Sequence, residues 1–202
     1  MKVLFTGFEP FGNETRNPSW EAVQLLPGKL EDIEIVKLQL PVVYDSCAQI
    51  LFAAIENEKP DAVICVGQAG GRSSISVELI ALNSKEAKSP DNAGNCFSGE
   101  RIIEGGPVAY ETTLPARAMV KAMESVGVPA AVSYCAGTYV CNNVMYHLLH
   151  YTAQSEPVMR GGFIHIPFDE VQAVEHGGNA AFMPLSMVTA GLQNAILALK
   201  EN

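Results

Sequence analysis

Apolar residues recur along this chain in two rhythms. Short runs, continuous or at every second position, read as strands; longer stretches at three- and four-residue intervals read as helices. Val3-Leu4-Phe5 sits in a short strand over 2–6 that runs into Gly7-Phe8-Glu9-Pro10-Phe11-Gly12. Pro18-Ser19-Trp20-Glu21 opens a helix, and Pro27-Gly28 stops it. Positions 33–40 alternate as a second strand, and 44–58 form an amphipathic helix with Ala48, Leu51, Phe52 and Ile55 inward. Ala62-Val63-Ile64-Cys65-Val66 is a continuous apolar run of the kind covered on both faces.

Ile75 to Asn83 reads as one strand that carries Glu78 between Val77 and Leu79. Positions 84–107 are polar and turn-rich, long enough for a lid or binding loop. A helix over 114–126 ends at Gly127, and a strand over 131–134 follows. The turn Ala136-Gly137-Thr138 leads to a helix over 139–154, with Val140, Val144, Leu148 and Tyr151 at helical spacing. Gly161 to Pro167 gives a last strand with His165 near its carboxyl end, and 184–200 a last helix. This order predicts an α/β fold: a single three-layer α/β/α domain over 1–202 with a mainly parallel, twisted central sheet.

Composition narrows the function classes. A chain of 202 residues suits one domain with a full core, and its 48% hydrophobic and 17% charged content describes a compact soluble protein. A formal net charge of −9 argues against nucleic acid or an anionic membrane as partner. No apolar run approaches the span of a bilayer, and Val3-Leu4-Phe5 is too short for a signal-peptide core, so the expected location is cytoplasmic. The five cysteines, at 47, 65, 96, 135 and 141, form no CxxC pair, which suits reduced thiols rather than a disulfide framework or a zinc knuckle.

The candidate chemistry gathers around Cys141. With Thr138 as N-cap, Cys141 falls at the third helical position, where first-turn N–H groups and the helix dipole stabilise an anion, so the thiol is expected to ionise near neutral pH. The plainer reading is a small buried hydrophobe on the helix. Cys47 and Cys65 read as packing residues, and nothing marks Cys96 as activated. Gly67-Gln68-Ala69-Gly70-Gly71-Arg72 fits no phosphate-binding spacing; it reads as a turn that brings backbone close to a ligand or another strand. Glu78 is either on a solvent face or held for a purpose, His165 either a satisfied core residue or a site residue, and Phe8 and Phe11 either tuck into the core or line a small pocket. Ligands of parallel sheets sit at the carboxyl ends of strands, and the Gly67 turn, Cys141 and His165 all follow such ends. A thiolate attacks an acyl carbonyl, imidazole serves as base and then acid, and a carboxylate orients the ring; Glu78 is the candidate for that last part. His147, His150 and His176 have no evident partner.

FTGFEPFG, NPSWEAV, VGQAGGR, ISVELIALN, PDNAGN, SYCAGTYVCNNVMY and GGFIHIPF stand in one register over nearly the whole chain. In these motifs the sequence resembles the pyroglutamyl-peptidase I (pyrrolidone-carboxylate peptidase) family of cytosolic cysteine peptidases. The resemblance implies that Cys141 is the nucleophile, His165 the general base and acid, and Glu78 the group that orients the imidazole. It implies hydrolysis of N-terminal pyroglutamyl residues from peptides through a thioester, without metal or cofactor. By the same carry-over the lactam ring lies against Phe8 and Phe11 with Gln68 at its polar edge, first-turn N–H groups around Cys141 bind the oxyanion, and the assembly is a homo-oligomer, a tetramer or dimer. Two positions depart from the pattern: the family commonly has arginine where this chain has Leu79 and Lys88. Those departures motivate a second reading, a non-catalytic binder of lactam or pyroglutamyl groups, and a third keeps the chemistry but acts on another small amide.

Overall fold

The computed structural model describes residues 1–155 and 159–200. In chain order these build β1 (Lys2–Phe8), α1 (Pro18–Leu25), β2 (Lys29–Leu30), β3 (Ile33–Leu40), α2 (Tyr44–Glu58), β4 (Ala62–Gln68), β5 (Ile75–Glu78), β6 (Ile80–Leu82) and β7 (Lys85–Glu86). There follow β8 (Ser98–Glu100), β9 (Ala109–Glu111), α3 (Ala116–Ser125), β10 (Ala130–Ser133), α4 (Val140–Thr152), β11 (Arg160–Ile166), α5 (Glu170–Glu175) and α6 (Leu185–Leu197).

Seven strands make one sheet in the order β10-β5-β11-β4-β1-β3-β2. β3, β1, β4 and β11 run parallel, whereas β5 and β10 are parallel to each other but antiparallel to β11, and β2 turns back on β3 at the far edge. The sheet is therefore mainly parallel, as its buried apolar runs predict. The reversal at β5 left no mark in the sequence, because a strand covered on both faces carries no sign of its direction.

Alternating side chains divide the interior into two cores, which is what a period of two does to a strand between layers. Ala62, Ile64 and Val66 of β4 pack, with Val3, Phe5, Ile164 and Ile166, against α1, α3 and α6 through Val23, Met119, Met123, Val188 and Leu192. Val63, Cys65, Leu4 and Phe163 face α2 and α4, meeting Cys47, Leu51, Ile55, Val144 and Leu148. Each such aliphatic or aromatic side chain contributes about 1.5–3 kcal/mol by leaving water. Cys47 and Cys65 belong to this packing, and burial pushes both thiols up to about 12.

Three local features differ from the sequence reading. The run from Ile75 to Asn83 is two strands, because the chain turns at Leu79. There its N–H donates to the Ser133 carbonyl at 2.7 Å and its carbonyl accepts from the Thr112 N–H at 2.8 Å. β5 stays in the large sheet while β6 leaves it to pair with β9. The segment 84–107 is not a plain loop either. It holds a short β7–β8 ladder, and Asp91 accepts backbone N–H bonds from Tyr44, Ala93 and Asn95 at 3.0, 2.9 and 2.8 Å. Asn92 donates to Glu9 Oε1 and to the Pro10 carbonyl, so this segment is fastened onto the one that carries Phe8 and Phe11. Lastly, α5 is only six residues long, too short for periodicity to reveal; Asp169 caps it by accepting from the Gln172 N–H.

Candidate active site

His165 stands one residue from the carboxyl end of β11, in register with Gly67 of β4 on one side and Ser76 of β5 on the other. Glu78 lies diagonally across, opposite Phe163. Residues paired across strands share a face, as do residues two apart, so both side chains project toward the α2–α4 layer. His165 Nδ1 lies 2.7 Å from Glu78 Oε1, and the same oxygen accepts from Arg72 Nη1 at 2.7 Å. Glu78 is fully buried and His165 only 4% exposed. The solvent-face reading of Glu78 is thereby excluded: the alternation rule fails on β5 because all four of its residues are covered.

Arg72 is the residue sequence reasoning missed. It closes the glycine-rich turn after β4, and its readable signal was that an arginine ended a turn otherwise free of charge. Its guanidinium pairs with Glu78, while Leu79 packs into the core. Lys88 is exposed.

Cys141 arrives from another direction. The N-cap of α4 is Tyr139, so Cys141 is the second helical residue rather than the third. Thr138, expected to cap, instead donates its hydroxyl to the Glu86 carbonyl at 2.7 Å. The strand before this helix, β10, runs against β4 and β11, so its carboxyl end does not lie at their edge of the sheet, and the 134–139 connection carries the chain there. The half-buried Cys141 rests on β4: a Cβ added at Gly67 would meet Cys141 Sγ at 3.0 Å and Phe163 Cζ at 2.6 Å. Only a glycine leaves room for the sulfur beside the strand residue that pairs with His165. Sulfur and imidazole are neighbours across Gly67, not hydrogen-bonded partners. The Phe163 ring, 4.7 Å from the His165 ring between centroids, packs in the same place.

Burial decides the protonation states. It pushes the Cys141 thiol up to about 12, with nearby Cys47 and Glu78 adding to the effect and Arg72 opposing it. Burial also holds the His165 imidazole below its usual 6.5, against the pull of the Glu78 carboxylate. At Glu78 burial works upward, but the hydrogen bond and charge of His165, helped by Arg72, hold the carboxyl below its usual 4.5. The resting site thus contains a thiol, a neutral ring whose Nδ1–H donates to an ionised Glu78, and a basic Nε2. The upward shift of the thiol runs against the expectation of a resting thiolate.

Phe8, Phe11, Gln68 and Cys141 line one small cavity, joined by Asn17, Val42, Tyr139 and Val140. Phe8 is buried, with its ring 6.3 Å from that of Phe163, and Phe11 lies 6.3 Å from Tyr139. Tyr139 donates its hydroxyl to the Pro90 carbonyl at 3.0 Å, tying the Asp91 segment to the cavity wall. The residues picked from sequence therefore come together in space, with Tyr139 and Asn17 as additions. The arrangement offers a nucleophile, a base oriented by a carboxylate, and a largely apolar recess with two carboxamides, Gln68 and Asn17.

A profile described as "Pyroglutamyl peptidase" matches residues 1–202. The chain is 48% identical over 192 residues to a pyrrolidone-carboxylate peptidase of Enterococcus faecalis, covering 95% of this chain and 90% of the relative. It is 47% identical over 202 residues to the Thermococcus kodakarensis pyrrolidone-carboxylate peptidase, covering 100% and 97%. A crystal structure of pyroglutamyl peptidase I from Bacillus amyloliquefaciens superposes with a TM-score of 0.96 at 46% identity, covering 100% of this chain and 95% of that one. A mutant pyrrolidone carboxyl peptidase from Pyrococcus furiosus gives 0.95 at 40% identity, covering 100% and 99%.

Proposed function

The chain belongs to the pyroglutamyl peptidase family and hydrolyses the N-terminal pyroglutamyl residue from peptides; on that premise we propose that Cys141, His165 and Glu78 divide the chemistry among them. The lactam ring enters the recess between Phe8 and Phe11, with Gln68 at its polar edge. His165 Nε2 takes the thiol proton as the sulfur attacks the pyroglutamyl carbonyl carbon, and Glu78 stabilises the imidazolium that forms. The oxyanion finds the first-turn N–H groups of α4, which have no partner within the helix. The imidazolium then protonates the leaving amine, and water activated by the same ring releases pyroglutamate from the thioester. The observation that carries this reading is the Arg72–Glu78–His165 chain set, across Gly67, beside a sulfur that walls the cavity. The binder and other-amidase readings draw no support from relatives that bear the peptidase name and match this chain over 90% and 97% of their length.

The resting protonation states predict the pH profile. The base must be neutral, and its pKa lies below 6.5, so kcat/KM on a pyroglutamyl amide rises with pH below 6.5 and stays level to pH 9, because the thiol titrates only near 12. A bell with a falling limb between pH 7 and 9 would instead indicate a preformed thiolate–imidazolium pair and overturn the neutral site. No amine release at any pH from 4 to 10 would reject the hydrolytic reading itself.

We read the assembly as homo-oligomeric. Val171, Val174, Phe182 and Met187, in α5, just after it and at the start of α6, are left exposed and support an apolar contact. Light scattering that returns a 21.6 kDa monomer would reject this. No helix among the described residues is long and apolar enough to cross a membrane, and the free thiols of all five cysteines support a cytoplasmic placement.

A further inference from the structure

Beside the cavity, α5 and the end of β4 meet through two carboxamides, one of which has no part in the chemistry above. Gln172, fully buried, uses both amide hydrogens: it donates to Gln68 Oε1 at 3.1 Å and to Glu14 Oε2 at 3.0 Å. Its backbone is fixed in turn by the Asp169 cap, and Asp169 is paired with Arg16 at 2.9 Å. The other end of the same amide, Gln172 Oε1, is buried without a hydrogen-bond partner. A fold that only needed to fill this space would be better served by an apolar side chain, so the unpaired oxygen points to a use for the donors.

Gln68 is where those donors matter. Its side chain lines the cavity with Phe8, Phe11 and Cys141. With Oε1 turned to Gln172, the amide nitrogen is the polar group left to face the cavity. We propose that Gln172 is a positioning residue for specificity: it locks the Gln68 carboxamide with its N–H side toward the recess, so that the site selects a five-membered ring carrying an acceptor oxygen, the lactam carbonyl, over the plain pyrrolidine ring of proline. The inference rests on the seating of the lactam ring proposed above. Without Gln172 the Gln68 amide is free to turn over and present an oxygen to the ring carbonyl, which is an unpaired contact between two acceptors.

Steady-state kinetics on a pyroglutamyl amide test this with Gln172→Met, Gln68→Met and the double variant. Gln172→Met is expected to raise KM about 3- to 10-fold, the worth of one neutral hydrogen bond, with kcat held within about threefold. On the Gln68→Met background the same change is expected to add nothing, since the group it positions is gone. A role in packing alone would leave the Gln172→Met penalty intact on that background, and this result, like an unchanged KM in the single variant, overturns the proposal. If Gln172→Met does not fold, Gln172→Asn, one methylene shorter, withdraws both donors from Gln68 and Glu14 and is read by the same comparison. The wild-type assay separates the two levels: an inactive wild type rejects the peptidase reading, whereas an active wild type with an insensitive KM rejects only the part given to Gln172.

Discussion

Cys141→Ser is expected to lower kcat/KM on a pyroglutamyl amide by at least about 10⁴-fold, the scale on which losing a nucleophile acts. Burial raises the thiol to about 12, so the thiolate is a minor form at pH 7. On the proposed mechanism the reaction then depends on passing the proton to His165 during attack. A hydroxyl resists that transfer far more than a thiol, and the shorter C–O bond holds the oxygen back from the recess. Because serine is nearly isosteric, the melting temperature should move by only a few degrees, which keeps the result a statement about chemistry. Cys96→Ser and Cys135→Ser serve as controls: both residues are exposed and outside the cavity, so activity within about twofold of wild type is expected. A Cys141→Ser enzyme that keeps a tenth of wild-type activity would remove the sulfur from the mechanism.

Which parts of this site could be read from sequence follows from what each part depends on. The buried strands of the large sheet were legible because burial on both faces demands continuous apolar runs, and Ala62 to Val66 is one, whereas the short and poorly covered β2, β7, β8 and β9 carry no such run. The helices were legible because they need an inward stripe. The direction of β5 was not, since direction depends on connections rather than composition, and with it went the expectation that the glycine-rich turn, Cys141 and His165 all follow strands of one orientation. Glu78 looked ambiguous for a related reason: period alone cannot show that a second layer covers the outer face, nor that Arg72 waits six residues upstream to pair with it. Residue type and order marked Cys141 and His165 as candidates, each beside a plainer packing reading. The charge state of the thiol depends instead on how tightly Phe163 and Gly67 enclose the sulfur, and that becomes visible only once the chain is folded. Gln172 escaped notice because a glutamine on a six-residue helix carries no pattern.

The other large effect expected is that of His165→Asn, which separates the ring's work as a base from its work as a partner for Glu78. In the wild type the Nδ1–H donates to Glu78 Oε1 at 2.7 Å, and the amide nitrogen of asparagine reaches nearly the same point. The buried carboxylate then stays paired, alongside Arg72, and the fold is kept. Alanine would be a poorer test, because it strips a fully buried carboxylate of a hydrogen bond and mixes a stability loss into the kinetics. Asparagine places nothing where Nε2 was, so proton transfer from the thiol and to the leaving amine both fail, and a loss of at least about 10³-fold is expected. Glu78→Gln provides the contrast and should cost about 10- to 100-fold. Its side-chain oxygen is held toward Arg72 and His165, so the ring keeps the tautomer with a free Nε2. Its nitrogen takes the place of Oε2, which has no partner to lose, and what disappears is the charge that stabilises the imidazolium. A His165→Asn enzyme within tenfold of wild type would show that the proton moves by another route. A Glu78→Gln loss as deep as that of His165→Asn would show that Arg72 does not hold the amide in the orientation required here.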